Sequence, residues 1–431
     1  MKKAACAVML ALCLGYTGPA LSESAATSIE LSKEAAIFHE TRAAAEQGNA
    51  DAQFNLGVMY ATGLGVARDD AQAAAWLRKA ADQGLADAQY NLGVMYLDGR
   101  GVAQDDLNAV TWCRKAADQG DAIAQYNLGL MYLSGRGVAR DDAEAVAWFR
   151  KAAENGDAQA QNNLGNMYAD GRGLAQDDAQ AVSWYRKAAE EGYAGSQYNL
   201  GRMYENGRGV ARDDAQAVVW YRKAAGQGDA QAQTSLGMMY RNGRGVARND
   251  AEAVAWFRKA ADQGRARAQT NLGNMYADGR GVARDDAQAV SWYRKAAEQG
   301  YAGSQYNLGI MYEKGWGVAQ DDAQAVSWYR KAADQGDAGG QYNLGAMYAS
   351  GRGVARDDVQ AVAWFHKAAA QGFADAQYNL GVAYRDGLGA ARDDMQAVAW
   401  YRKAAEQGDV GAQKALREMA ASGRGLPNQP R

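Results

Sequence analysis

Histidine is nearly absent from this chain. His39 and His366 are the only two, and they stand far apart in the sequence. A histidine-built zinc site or a Ser-His-Asp triad is thereby excluded, since each needs such side chains converging on one point. Cysteine is almost as scarce, with Cys6, Cys13 and Cys113. The first two lie in the N-terminal apolar run, so its removal would leave Cys113 without a disulfide partner. The three prolines are Pro19, Pro427 and Pro430, so nothing between them breaks a helix or marks a linker. One elongated domain is the expectation. Excess charge of either sign is lacking too, with 47 Lys and Arg against 50 Asp and Glu. A nucleic-acid partner would call for a strongly basic face.

Residues 1–22 stand apart from the rest. Lys2-Lys3 precede an apolar run from Ala4 to Leu14, and Pro19 leads to the small-residue exit Ala20-Leu21-Ser22. The run is far shorter than the roughly 20 residues that span a membrane, so it reads as a secretory signal cut after Ser22. Cys13 follows Leu12 instead of the small residue that a lipid-bearing cysteine requires. The mature chain is expected to be periplasmic or secreted, without a membrane span. Loss of Lys2 and Lys3 would take its net charge from −3 to −5.

What the chain has in abundance is one 36-residue unit. Ala50 to Leu85 is followed by a second unit from Ala86, and ten copies fill residues 50–409 without an insertion. The Leu-Gly pair runs from Leu56-Gly57 to Leu380-Gly381, and the tryptophan from Trp76 to Trp400. A fixed period of this length means a solenoid of stacked units. In the first half, Ala52, Leu56, Met59 and Tyr60 share a helix face until Gly63 ends the helix. Asp69-Asp70 opens a second helix, with Gln72 in capping-box spacing, which runs past Trp76 and Ala80-Ala81 to Gly84. Glycine inside a helix costs about 0.5–1 kcal/mol relative to alanine, so Gly57 and its copies predict tight packing. Position 52 is always small, as if a tryptophan filled the space beside it. Residues 23–49 read as an N-terminal capping helix, 410–422 as a C-terminal one, and 423–431 as a disordered tail.

The pattern carried by Ala52, Leu56-Gly57, Tyr60, Gly63, Gly65-Val66, Asp69, Ala73, Trp76, Lys79-Ala80-Ala81 and Gly84 resembles the Sel-one-like repeat, a relative of the tetratricopeptide repeat. The resemblance covers about five-sixths of the chain. It implies an all-α, right-handed α-solenoid of antiparallel helix pairs with a role in assembling complexes, and no catalytic site. A longer period shows as well: Asn163 to Asn206 is nearly repeated by Asn271 to Lys314, three units later.

No catalytic, cofactor or metal residues are predicted. The Asp-Asp pairs sit at helix starts, where capping explains them, and the Gly-x-Gly loops follow no strand, as a nucleotide fingerprint requires. The informative positions are those that vary among copies: 51, 54, 58, 61 and 62, which share one face of the first helix. In the resembling families this helix lines the concave side. Repeats 1 to 3 present Phe54, Val58, Tyr90, Val94, Leu97, Tyr126, Leu130 and Leu133 there. The middle repeats turn polar, with Arg202 and Arg241, and the last repeats return to Tyr306, Tyr342 and Tyr378. Trp316 replaces the loop arginine of other copies. The expected function is a monomeric, non-enzymatic adaptor that binds a protein or peptide along this stripe. The alternative is cell-wall glycan or peptidoglycan, stacked on the tyrosines. Tyr90, Leu97, Tyr126 and Leu133 are expected to be exposed, and dispensable for the fold, because repeats 4 and 7 place small or polar residues there.

Overall fold

The computed structural model describes residues 25–425, with side chains from Lys33 onward. The expected signal segment and the last six residues lie outside them. Among the described residues there are 22 α-helices and no strand, and the fold is an all-α solenoid. Repeat 1 pairs Ala50–Thr62 with Asp70–Asp82, and the same offset carries on to Ala374–Asp386 and Asp394–Glu406 in repeat 10. A helix at Ala25–Glu46 precedes the repeats, and one at Val410–Ala421 follows them.

The helix ends are where the side chains put them. Asp69 accepts from the backbone N–H groups of Ala71 and Gln72, which caps the second helix of repeat 1. Asp70 does different work. It pairs with Arg68 at 2.9 Å and with Arg100 of the next repeat at 3.4 Å. The same bridge between repeats recurs at Arg136–Asp106, Arg172–Asp142 and Arg208–Asp178. A β-carbon on Gly101, whose φ is +67°, would collide with the Asp70 carbonyl, so only glycine lets the loop lie on the helix before it.

Packing explains the glycine inside each first helix. A β-carbon on Gly57 would stand 2.8 Å from Leu77 Cγ, and one on Gly165 would stand 2.6 Å from the Tyr185 ring. One copy of the small position is a glycine, and its surroundings can be read directly. A side chain at Gly340 would first meet the Ala332 β-carbon, at 2.8 Å, and no tryptophan is among its nearest neighbours. The tryptophans instead carry a lysine over the ring, from Lys79 on Trp76 at 3.6 Å to Lys403 on Trp400 at 4.0 Å. A glutamine ladder adds to the stack: the exposed Gln119 donates to the buried Gln89 Oε1 at 2.8 Å and to the Gly84 carbonyl at 2.9 Å.

The two ends extend the pattern. Phe38 and Ala45 of the leading helix bury against Ala52, Leu56 and Met59. At the other end the expected disorder does not begin at 423. Arg424 hydrogen-bonds Asp394 at 2.6 Å, as the loop arginines of the repeats do, because Gly423-Arg424-Gly425 keeps the loop motif. The chain divides into two compact units, up to Asp213 and from Asp214. Each repeat of a solenoid touches only its sequence neighbours, so a division needs no linker and here falls inside repeat 5.

Candidate functional site

The predicted strip of repeats 1 to 3 is present but sunk into the fold. Phe54, Val94, Leu97, Tyr126, Leu130 and Leu133 are half-buried and pack on the core, and Val58 is half-buried beside them. Tyr90 is only 7% exposed, and its hydroxyl accepts from Asn127 Nδ2 at 3.1 Å. The expectation of exposed, dispensable side chains is corrected here. The ring at this position reaches across to the second helix of its own repeat, as Tyr126 does to Phe149 at 5.8 Å between centroids. Serine at all four sites would open the core.

Tyr306, Tyr342 and Tyr378 behave alike in the second unit. They are half-buried and lie tilted against Tyr329, Phe365 and Tyr401, at 6.2, 5.9 and 5.7 Å. Burial pushes the hydroxyls of Tyr126, Tyr306 and Tyr342 above the ordinary phenol value. One side of each ring is already occupied, which counts against a free ladder for sugar rings.

The polar copies are not bare either. Asn166 accepts from the Tyr185 hydroxyl at 2.7 Å and from Asn199 at 3.3 Å. Asn274 does the same with Tyr293 at 2.7 Å and Asn307 at 3.2 Å. Asn162 accepts from Ser196 and Asn199, both at 3.0 Å, and Thr270 pairs with Ser304 at 2.6 Å. In the loop that follows, the Tyr193 ring lies over Gly195. Sequence reasoning passed over the asparagine that recurs at Asn91, Asn127, Asn199 and Asn307. Its signal was recurrence in every copy but repeat 6, which has Ser235, and from Asn127, Asn199 and Asn307 it ties one first helix to the one before.

A recurring pocket opens between successive first helices, and the loop residue of the later repeat sets its size. Arg100 leaves about 20 Å³ among Val58, Leu77 and Val94. Arg208 leaves about 160 Å³ among Asn166, Tyr185 and Arg202. Leu388 stands at that place beside Phe365 and Val382, where the pocket holds about 310 Å³. Trp316 stands there in a pocket of about 550 Å³ that also meets Arg241, Asn274 and Ile310. The arginines span the gap to the preceding aspartate. Tryptophan and leucine have no such tether, and Trp316 is 46% exposed.

The two predicted arginines differ. Arg202 is exposed, with its guanidinium 5.9 Å from the Tyr198 ring centroid. Arg241 is half-buried and donates to Asn271 Oδ1 at 3.0 Å and Asn242 Oδ1 at 3.3 Å. Burial, and then the neighbouring Arg280 and Arg267, lower its pKa from the usual guanidinium value. Cys113 is a core residue packed beside Gly93, its thiol pushed up to about 12 by burial. His366 stands where other repeats hold arginine and lies 3.1 Å from the Tyr384 hydroxyl. Among the described residues no group of three or more His, Cys, Asp or Glu side chains could hold a metal ion, and no helix is long and apolar enough to cross a membrane.

Comparison with known proteins agrees with this architecture. The Sel1 repeat model matches ten segments, from 50–85 and 86–121 through 230–264 and 266–301 to 374–409. The chain is similar to the crystal structure of c5321, a protective antigen present in uropathogenic Escherichia coli strains that displays an SLR fold. Identity is 44%, the match covers 91% of this chain and 84% of that one, and the TM-score is 0.82. It is also similar to a Sel1 repeat protein from Oxalobacter formigenes, at 37% identity over 73% of this chain and 93% of that one, with a TM-score of 0.56. No curated protein matches the chain.

Proposed function

The chain belongs to the Sel1 repeat family, and from that premise we propose that it is an exported, non-enzymatic adaptor that binds a protein or peptide along its first helices. Proteins built of this repeat are generally scaffolds for protein interaction. One observation carries the finer reading. The helix caps and the packing glycines recur from repeat to repeat, whereas the pockets between first helices range from apolar, at Phe365 and Leu388, to polar, at Asn166 and Arg202. A row of unlike pockets on a uniform frame suits side chains of a partner chain. Export rests on the leader sequence, and the antigen role of the similar Escherichia coli protein supports it.

The test uses substitutions that the chain itself tolerates. Leu97→Ala with Leu133→Ala copies the alanines at positions 169 and 277, and Leu388→Arg copies the loop of repeat 2. Capture of partners from cell-envelope extract by the mature protein should fall tenfold or more in these variants. Unchanged capture, with the helical circular dichroism intact, would sink the binding face. Capture of peptidoglycan fragments alone would replace the peptide reading with the glycan one. N-terminal sequencing of the native protein should begin near Glu23, and recovery from the cytosol with Met1 in place would remove the exported location.

A further inference from the structure

The pocket at Trp316 differs from its siblings in charge as well as size. Its walls carry Arg241, Arg280 and Arg284 with Asp278 and Asp286. Two of the arginines are spent inside the protein: Arg280 pairs with Asp250 at 3.0 Å and Arg284 with Asp286 at 3.0 Å. Arg241 is not. Its hydrogen bonds go to the amide oxygens of Asn271 and Asn242, and it has no ion pair among the described residues. Arg267 and Arg280 add like charge close by, and the counter-charges are Asp250, already paired with Arg280, and the exposed Asp278 at the rim.

Trp316 is the second half of the site. Its backbone N–H donates to the Met311 carbonyl at 3.0 Å, as Arg280 does to Met275, so the loop keeps its form and only the side chain has changed. The indole stands half exposed, beside Ile310 and Met311. A cavity of about 550 Å³ with an aromatic wall and one unneutralised guanidinium has the make-up of a ligand site.

We propose that this pocket takes an acidic segment of the partner, an Asp or Glu carboxylate meeting Arg241 while a neighbouring apolar or aromatic side chain lies on Trp316. The inference rests on the adaptor reading and names one of its subsites. A guanidinium hydrogen-bonding a carboxylate forms the stronger, charge-assisted kind of bond, and Arg241 Nη2 makes no hydrogen bond among the described residues. The indole face favours a planar or aliphatic group beside it.

The experiment uses a fluorescein-labelled peptide alternating glutamate with leucine and tyrosine, and a second peptide with lysine in place of each glutamate. Trp316→Arg restores the loop residue of repeats 2 to 7, and Arg241→Leu copies Leu97 and Leu133, so both variants should fold, as circular dichroism would check. The acidic peptide should bind wild type at least tenfold more tightly than the lysine peptide, and more weakly as salt rises. Each substitution should weaken it tenfold or more. Equal affinity for wild type and Trp316→Arg, or no binding of the acidic peptide to wild type, overturns the proposal. If that happens while Leu97→Ala with Leu133→Ala still abolishes partner capture, the adaptor reading survives without this subsite.

Discussion

The pocket around Tyr185 and the pocket around Tyr293 are two outcomes of one sequence. They lie in blocks three repeats apart that differ at few positions between 163–206 and 271–314. Their inner walls coincide: a tyrosine hydroxyl 2.7 Å from an asparagine oxygen in each, and a glycine β-carbon that would stand 2.6 Å from the ring in each. Their outer walls do not. Arg202 becomes Ile310 and Arg208 becomes Trp316, and Arg241 joins the lining of the second pocket only. The volume rises from about 160 to about 550 Å³ as a result. Residues that hold the repeat together are thus separable from residues that shape its groove, even though both sit on the same two helices.

The largest expected effect tests the shared wall. Gly165→Val and Gly273→Val each force a branched side chain into the tyrosine ring, and overpacking of this kind costs about 1–3 kcal/mol. Urea denaturation should show both variants destabilised by similar amounts. A loss confined to one of them would mean that the two cores are not the same.

A second contrast isolates the buried hydroxyl. Tyr185→Phe removes a hydrogen bond to Asn166 and should cost about 0.5–1.5 kcal/mol. Adding Asn166→Leu should recover most of it, because repeat 3 already pairs Leu130 with Phe149. The same cycle at Tyr293 and Asn274 should give the same coupling. Repeat 10 supplies the converse: Tyr401 is fully buried opposite Val382, and its hydroxyl has no partner among the described residues. Tyr401→Phe is therefore expected to be neutral or stabilising, by up to about 1 kcal/mol. A loss at Tyr401 as large as that at Tyr185 would show that ring packing, and not the asparagine, sets the cost.

These pairs also mark how far the sequence alone could be read. Repeat length, helix ends and the packing glycines follow from local chemistry written ten times over, so the solenoid was legible. Groove exposure was not. A helical wheel places Tyr90 and Tyr126 on the variable side, but their rings are long enough to reach the second helix, as Tyr126 does at Phe149. Variation at Asn166 and Asn274 looked free because its cause is Tyr185 and Tyr293, some twenty residues away and across the hairpin. Comparing columns in pairs would have found it. Trp316 was visible as an oddity. That an arginine there plugs a pocket needed the Arg208–Asp178 bridge to be seen.

The smallest expected effect exchanges the plugs. Arg208→Trp removes a bridge to Asp178 at 2.7 Å, and Trp316→Arg offers one to Asp286, which Arg284 already holds at 3.0 Å. Asp142 shows that one aspartate can serve two arginines, Arg140 and Arg172. These side chains are partly solvated, so each exchange should move stability by only about 0.2–1 kcal/mol, downward for the first and upward for the second. The pH dependence gives the sign. The Arg208 hydrogen bond holds the Asp178 carboxyl below the usual carboxylate range. A carboxylate depressed in the folded state contributes stability that is fully present above its unfolded value, near 3.9, and lost as the pH falls through the folded value. Wild type and Arg208→Trp should therefore differ at pH 7, converge as the medium is acidified below that range, and differ less in high salt. A gap that persisted in acid would mean that Arg208 supports the repeat by packing its side chain into the pocket. The difference in volume between the two pockets would then be part of the core's own stability and not a groove property.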